Sequence, residues 1–164
     1  KADSIQSLFS EKMGKNIEWL QSQKKYKELI AKYENRKNEL SDKERTELWR
    51  IKFAGTNIYD IKKWNLMKGG LVYYNAESGN LMRQSFNFTY DYSSSLSKNK
   101  YSVTLIQGQY DFIDFNAERH RDLIGNLPIN VVTIPNSGHA IWIDQPNMFR
   151  KELKKALLSN RGSH

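Results

Sequence analysis

Cysteine is absent from this sequence of 164 residues, which excludes disulfide bonds and thiolate metal sites. Long apolar runs are absent too, since none approaches the roughly 20 residues that a membrane-spanning helix needs. We therefore expect no membrane partner. No secretory signal opens the sequence, and the compartment stays undetermined at this level, with the cytoplasm as the default expectation.

Histidine is scarce, with three residues in the whole chain. One of them, His164, belongs to the closing segment RGSH at 161–164, which resembles the remnant of an expression tag. His120 and His139 remain, and neither has a second histidine at the spacing that metal ligands show. The sequence therefore predicts neither a metal site nor a cofactor.

Charged residues make up 27% of the chain and give it a formal net charge of +8. Basic and acidic residues alternate in SEKMGKNIEWLQSQKKYKELIAKYENRKNELSDKERTELWR, residues 10–50. This mixture is typical of solvated helix faces with ion pairs four residues apart. No arginine-rich or glycine-aromatic RNA motif accompanies the charge, so we expect no nucleic-acid partner. A non-catalytic basic helical module that binds an acidic partner remains an alternative.

Residues 1–100 have the pattern of a helical region. A capping box, SDKE at 41–44, predicts a helix that starts at Ser41 and stops near Gly55, and another helix is predicted to start near Asp60. Glycine, asparagine, serine and tyrosine are frequent in 69–100 and indicate turns and short helical pieces. Apolar residues recur at helical spacing at Ile17, Leu20, Tyr26, Leu29, Ile30 and Tyr33. The helix after Ser41 is predicted to face inward with Leu48, Ile51 and Phe53, and the next helix carries Trp64, Leu66 and Met67.

Residues 101–160 follow a different pattern, with two β-branched strands and two helices. YSVTLI, ended by Gly108, and INVVTI are the strands, and NAERHRDLIG is the helix between them. DQPNMFRKELKKALL is a final helix with Pro146 in its first turn and with Phe149, Leu153, Ala156 and Leu157 facing inward. Apolar strands that alternate with helices predict an α/β fold with a parallel β-α-β-α unit.

Two side chains with catalytic potential follow the two strands. Asp111 lies three residues past Gly108, and His139 comes just after the second strand. If the strands are parallel neighbours, both side chains lie at the carboxyl edge of the sheet, where active residues of such folds are found. A carboxylate there can accept the Nδ1–H of the histidine and fix its tautomer. Gly138, before the histidine, leaves room for close backbone approach.

The segments SVTLIQGQYDFID and VVTIPNSGHAIWIDQPNMFRKEL resemble the last two strands of α/β-hydrolases. The stretch YDYSSSLSKNKYSVTLIQGQYD and the helical region before it are similar to the proline iminopeptidase-like serine aminopeptidases. The resemblance is specific over residues 101–157 and looser over 1–100. It implies the C-terminal portion of an α/β-hydrolase fold, with a helical cap at 1–100, a core segment at 101–160, Asp111 as triad acid and His139 as triad base. It also implies a peptide or small ester or amide as substrate.

The nucleophile of that family is missing. It sits on a G-x-S-x-G elbow, whereas ESGN, NSGH and RGSH place serine beside glycine without that frame. The family's oxyanion-hole loop is missing as well. We therefore expect the nucleophile on residues that precede Lys1 in a parent protein, and we expect this chain alone to be inactive. Its expected partners are the N-terminal half of the same hydrolase or, to cover an open sheet edge, further copies of the chain.

Several assignments stay open at this level. An esterase, an epoxide hydrolase or a dehalogenase would share the acid and the base and differ at the nucleophile. Carboxylates of the helical region could bind a substrate amine, but solvated helix charge explains them equally well; they are Glu44, Glu47 and Glu77. Aromatic side chains could line a substrate pocket or belong to the core; they are Trp64, Tyr73, Tyr74 and Trp142.

Overall fold

A computed structural model of the chain describes residues 2–36, 38–68, 73, 75–86, 98, 103–113 and 129–159. Within these ranges the chain is mostly helical and contains a two-stranded parallel sheet, which is an α/β arrangement in the broad sense. No helix in the described ranges is long and apolar enough to cross a membrane. The predicted helix at 116–125, which includes His120, lies outside the described residues, and so does Tyr74.

The order of elements follows the predicted change from helices to strands. The helical part contains α1 (Ala2–Ser22), α2 (Lys24–Glu34), α3 (Asp42–Lys52), α4 (Ala54–Asn57), a 3₁₀ helix (Ile61–Lys68) and α5 (Ala76–Ser85). The second part contains β1 (Val103–Gly108), β2 (Ile129–Ile134), α6 (Ile141–Asp144) and α7 (Pro146–Ser159).

The main hydrophobic core belongs to the helical part. Leu20, Ile51 and Ile58 are at most 1% exposed, and Trp64 packs edge-on against Tyr26 with ring centroids 5.8 Å apart. The remaining buried members of this core are Tyr33, Leu40, Ala54, Ile61 and Ala140. Burying such side chains is the main driving force for folding, at about 25 cal/mol per Å² of apolar surface. The core is thus formed chiefly by the helices and reaches the sheet part through Ala140.

The predicted capping box at the start of α3 is confirmed. The hydroxyl of Ser41 accepts the backbone N–H of Glu44, and the Glu44 carboxylate accepts the backbone N–H of Ser41. The pKa of Glu44 is lowered by the N–H of Ser41 and by the Ser41 hydroxyl, which also donates to the carboxylate at 3.0 Å. The helix ends at Lys52, before the predicted stop near Gly55. Gly55 instead lies inside the short helix α4, where an added Cβ would come within 2.8 Å of the Ile17 side chain.

One further expectation for the helical part needs correction. Phe53 was predicted to face inward but is 45% exposed, because it ends α3 and stacks on the exposed Trp49 with centroids 5.0 Å apart. The predicted helix after Asp60 is a 3₁₀ helix, which has three residues per turn, and its Leu66 is 56% exposed.

The predicted parallel pairing of the two strands is confirmed. Val103 of β1 is in register with Ile129 of β2, and the ladder continues to the pair Gly108 and Ile134. The strands are less buried than their apolar sequence indicated, since only the last residues of the pair are fully buried. Within the described residues the sheet has two strands, and a parallel sheet normally needs neighbours and cover on both faces.

The final helix begins at Pro146 as predicted, but its inward face is narrower. Phe149 and Ala156 are partly buried, whereas Leu153 is 38% and Leu157 is 62% exposed. The prediction of four inward side chains is therefore wrong for both leucines. The physical reason is the width of the described sheet, because two strands cannot cover the full apolar stripe of α7.

The alkaline stability of the helical part should depend on Tyr33. Its hydroxyl donates to Glu47 at 2.7 Å, and burial, followed by this bond, raises the pKa of Tyr33 to about 12. The unfolded tyrosine titrates near pH 10, so its stabilising contribution is complete below about pH 10 and is lost as pH rises toward 12.

We therefore expect Tyr33→Phe to lower stability near neutral pH by on the order of 1.5 kcal/mol, the strength of a hydrogen bond to a charged group. Above pH 10 the deficit should shrink, because the variant has no phenol to titrate. Urea unfolding of both proteins from pH 8 to 11 measures the difference. If the unfolding free energies of the two proteins differ by the same amount at every pH in this range, the role given to the Tyr33 hydroxyl is contradicted.

Candidate active site

The structure brings Asp111 and His139 together, as predicted. His139 Nδ1 lies 3.0 Å from Oδ2 and 3.1 Å from Oδ1 of Asp111, so Nδ1–H can donate to the carboxylate. The Asp111 side chain is 13% exposed and that of His139 is 37% exposed. The acid is therefore largely shielded from water, while the imidazole remains accessible.

The end of β2 holds the turn that carries Asp111. The N–H of Gln109 donates to Ile134 O and the N–H of Tyr110 donates to Ser137 O, both at 2.9 Å. The carboxylate of Asp111 also accepts the N–H of Ile113 at 2.9 Å. The register of the two parallel strands thus fixes the acid next to the chain segment that bears the base.

The loop that carries His139 is held on both sides of the histidine. On one side, the N–H of Gly138 donates to Asp144 Oδ2 at 2.8 Å. On the other, the N–H of Ala140 donates to Asn57 O at 2.9 Å, which ties the loop to the end of α4. The imidazole lies 5.0 Å from the ring of Phe112, centroid to centroid. The imidazole is therefore positioned by the hydrogen-bonded backbone on either side of His139 and by the ring of Phe112.

Asp144 is the central acceptor of this region, and the sequence reasoning missed it. Its side chain is buried, and its carboxylate accepts the N–H groups of Tyr59 at 2.8 Å, Asp60 at 3.0 Å and Gly138 at 2.8 Å. A buried carboxyl group needs hydrogen-bond donors, and three backbone N–H groups supply them here. One available signal was the acid in the otherwise apolar run AIWID, which comes five residues after the histidine.

Two glycines allow the three backbone segments to meet. A Cβ on Gly108 would lie 2.1 Å from Gly138 O and 2.7 Å from Ser137 O. A Cβ on Gly138 would lie 2.7 Å from Asn57 O. The expectation that Gly138 permits close backbone approach is confirmed, and Gly108 serves the same purpose at the end of β1.

The pair has the arrangement of a general base and its orienting acid. Nδ1 is bonded to Asp111, and within the described residues Nε2 has no hydrogen-bond partner. An imidazole held in this way can take a proton at Nε2 and return it, while the carboxylate stabilises the imidazolium.

Serines beside glycine do not provide the attacking group in the described structure. Ser137 is fully buried and its hydroxyl donates to Ile134 O at 2.8 Å. Ser78 lies in the first turn of α5, after the N-cap Asn75, and does not follow a strand. Among the described residues, neither has the strand-to-helix setting that exposes a nucleophile.

The glutamates and aromatic residues that the sequence offered as substrate-binding candidates are not hydrogen-bonded to Asp111 or His139 in the described structure. Glu44 and Glu47 have structural partners, Ser41 and Tyr33, and Glu77 is an exposed residue in the first turn of α5. Trp64 belongs to the core, whereas Tyr73 and Trp142 are exposed. In the described ranges, no group of three histidine, aspartate or glutamate side chains is arranged to hold a metal ion.

No protein-family model, no curated protein and no solved structure matches this chain. The family resemblance therefore remains a property of the quoted sequence segments. The hydrogen-bonded pair at the ends of two parallel strands is an observation that stands apart from that resemblance.

The geometry of the site should be sensitive to Gly108→Ala. The added methyl group would overlap the backbone of Gly138, so we expect a loss of stability of about 1–3 kcal/mol or more and a displaced His139 loop. The control is Gly14→Ala in α1, where nothing lies within 4 Å of the added Cβ and a gain of about 0.5–1 kcal/mol is expected. Denaturant unfolding and the NMR signals of the His139 ring report both effects. An unchanged His139 signal in a stable Gly108→Ala protein would refute the packing described.

Proposed function

We propose that this chain supplies the acid and the base of a serine hydrolase of the α/β-hydrolase type, with residues 1–100 as its cap and 101–160 as the C-terminal part of its core. The observation that carries the proposal is the bond of 3.0 Å between His139 Nδ1 and Asp111 Oδ2, formed where two parallel strands end. The resemblance of the two strand-end segments to this family supports it. The proposed substrate is a peptide, from which the enzyme removes the N-terminal residue.

In this proposal His139 is the general base and Asp111 its orienting acid. Nε2 of His139 takes the proton of a serine hydroxyl as that oxygen attacks the scissile carbonyl, and it later gives the proton to the leaving amine. Asp111 holds the tautomer with the proton on Nδ1 and stabilises the transient imidazolium. The exposure of the imidazole at 37%, against 13% for the carboxylate, fits a base that must meet a reacting group.

The serine and the oxyanion hole would come from a second part of the hydrolase fold. This chain has no G-x-S-x-G segment, and Ser137 is buried and bonded. Without an attacking atom and without donors for the tetrahedral intermediate, acid and base give no turnover. The proposal therefore includes a partner, the N-terminal half of the same hydrolase.

The choice of an aminopeptidase rests on the similarity of the quoted segments to the proline iminopeptidase-like branch. An esterase would use the same serine on a different substrate. An epoxide hydrolase or a dehalogenase would use a carboxylate nucleophile in its place. The acid and the base serve all of these reactions, so the nucleophile and the substrate discriminate them.

The test uses the complete product of the coding sequence that contains this chain, treated with a fluorophosphonate probe. We expect one serine outside the 164 residues to be labelled, and His139→Gln to slow labelling by at least about a thousandfold. Asp111→Asn should slow it too. Glu152→Gln, a carboxamide change in α7 away from the pair, is the matched control and should leave the rate unchanged.

Substrates then separate the alternatives. Turnover of aminoacyl-anilides by the labelled protein supports the aminopeptidase, whereas turnover of simple esters alone supports the esterase. The 164-residue chain by itself should hydrolyse neither above background. Turnover by that chain that disappears in His139→Gln would show that the nucleophile lies within it, contrary to the proposal.

Assembly gives an independent test. In the described part of the chain, the outer edges of β1 and β2 have no strand partner, and open edges beside apolar faces promote association. We expect the isolated chain to form dimers or larger assemblies at micromolar concentration, measured by light scattering. Thr104→Lys in β1 and Thr133→Lys in β2 place a charge in each strand, and the variant that reduces the mass identifies the edge used. A stable monomer with a cooperative melt would contradict this expectation.

A further inference from the structure

A polar pocket lies where the helical part meets the sheet part, and its wall carries charges of both signs. Its volume is about 400 Å³, within the usual range for small-ligand sites. We call it the junction pocket, and neither Asp111 nor His139 lines it. The side chains that define its chemistry are Lys12, Tyr59, Asp60 and Lys63 of the helical part, with Asn136 and Asp144 from the segment after β2.

Two partly buried lysines provide the positive charge of the junction pocket. The Nζ of Lys12 lies 4.4 Å from the centroid of the Tyr59 ring, and no carboxylate of the described residues pairs with it. Tyr59 in turn packs against Tyr110 with ring centroids 4.8 Å apart, so the ring beneath Lys12 is itself held in place. The Nζ of Lys63 donates to Asp144 O at 2.7 Å, which leaves two of its three N–H groups for other acceptors. Both ammonium groups can therefore bind the acidic group of a ligand.

Two carboxylates balance these lysines, and they differ in their capacity to bind a ligand. Asp144 is 3% exposed, and its oxygens already accept three backbone N–H groups. The Asp60 side chain is 45% exposed, and its Oδ1 accepts the N–H of Lys62 at 3.2 Å. Its Oδ2 lies 3.8 Å from the Nζ of Lys63, beyond hydrogen-bonding distance. The Asp60 carboxylate can therefore accept from a positively charged group of a ligand.

The arrangement of these charges selects the class of ligand. Asp60 and Lys63 place opposite charges side by side, 3.8 Å apart, and the ammonium and carboxylate groups of an α-amino acid are likewise neighbours on one carbon atom. The formal charges of the side chains in the wall cancel, so a simple anion or cation would meet a like charge that nothing on the ligand compensates. The neutral polar groups of the wall include the amides of Asn136 and Gln145, which favours a small polar side chain.

We infer that the junction pocket binds a free α-amino acid, with the ligand carboxylate at Lys12 and Lys63 and the ligand ammonium group at Asp60. Charge-assisted hydrogen bonds at both ends of the ligand distinguish such a zwitterion from molecules that carry one of the two charges. The inference is independent of the proposed hydrolase function, because it involves neither Asp111 nor His139.

The test measures binding of L-serine to the whole chain, from the NMR shifts of the backbone amides near neutral pH. Two analogues each lack one charge of serine: β-hydroxypropionate has no ammonium group, and ethanolamine has no carboxylate. We expect saturable shifts at Tyr59, Asp60 and Lys63 with L-serine, and a Kd at least about tenfold higher for either analogue. Ionic strength is held constant, so that general screening does not differ between the three titrations.

The positive side of the pocket is tested with a matched pair of lysine variants. Lys12→Gln should raise the Kd of L-serine by about tenfold, because the ligand carboxylate loses an ammonium partner. Lys25→Gln removes the same charge from an exposed position of α2 outside the lining and should leave the Kd within about twofold.

The negative side gives two expected changes of opposite sign. In Asp60→Asn, L-serine should bind about tenfold more weakly, whereas β-hydroxypropionate should bind more tightly, since the carboxylate that repels it is gone. The variant keeps the backbone N–H that donates to Asp144, so it should retain the fold, and circular dichroism checks this. Glu18→Gln, at an exposed position of α1 outside the lining, is the control and should change neither Kd.

Three results would overturn the inference. Equal binding of L-serine and β-hydroxypropionate to the unchanged chain would show a site for simple anions. Shifts that do not saturate with L-serine would show that the pocket has no affinity for it. Equal effects of a variant and its control would place the binding elsewhere. If one variant fails to fold, the three probes and the other variant still decide between these results and the expected one.

Discussion

The buried carboxylate of Asp144 is the interaction on which the arrangement of the site depends. It accepts three backbone N–H groups, from the turn at Tyr59 and Asp60 and from Gly138 beside the histidine. A buried charge is costly unless it is paired or hydrogen-bonded, and here backbone donors from two distant segments satisfy it. Asp144 thereby holds the loop that carries His139 against the turn at Tyr59 and Asp60 of the helical part.

Close backbone packing complements this carboxylate. The absence of a side chain at Gly108 and at Gly138 lets the ends of the two strands and the end of α4 come within hydrogen-bonding distance, as the bond from Ala140 N–H to Asn57 O shows. The pair of Asp111 and His139 is then positioned by the backbone and needs few side-chain supports. Backbone packing of this kind explains why Asp111 and His139 are well positioned although the described sheet has two strands.

The two parts of the chain differ in how completely they bury their apolar surface. The helices enclose Leu20, Ile51 and Ile58 almost fully, whereas β1, β2 and α7 leave leucines and much of the strand surface accessible. A parallel sheet gains its stability from cover on both faces, and the described residues alone do not cover β1 and β2 in this way. In the proposed function, another part of the hydrolase would supply the missing contacts.

Local sequence signals determined much of this protein. The capping box at Ser41, the two strands and Pro146 at the start of α7 followed from short-range patterns, because caps and strand periodicity are set by neighbouring residues. The meeting of Asp111 with His139 was predicted on the condition that the two strands are parallel neighbours, and the tertiary pairing of the strands met that condition. Tertiary structure alone decided the three donors of Asp144. It also decided that the leucines of α7 are exposed. These features join residues far apart in the chain, and their burial depends on which surfaces are present to pack, which no local pattern encodes.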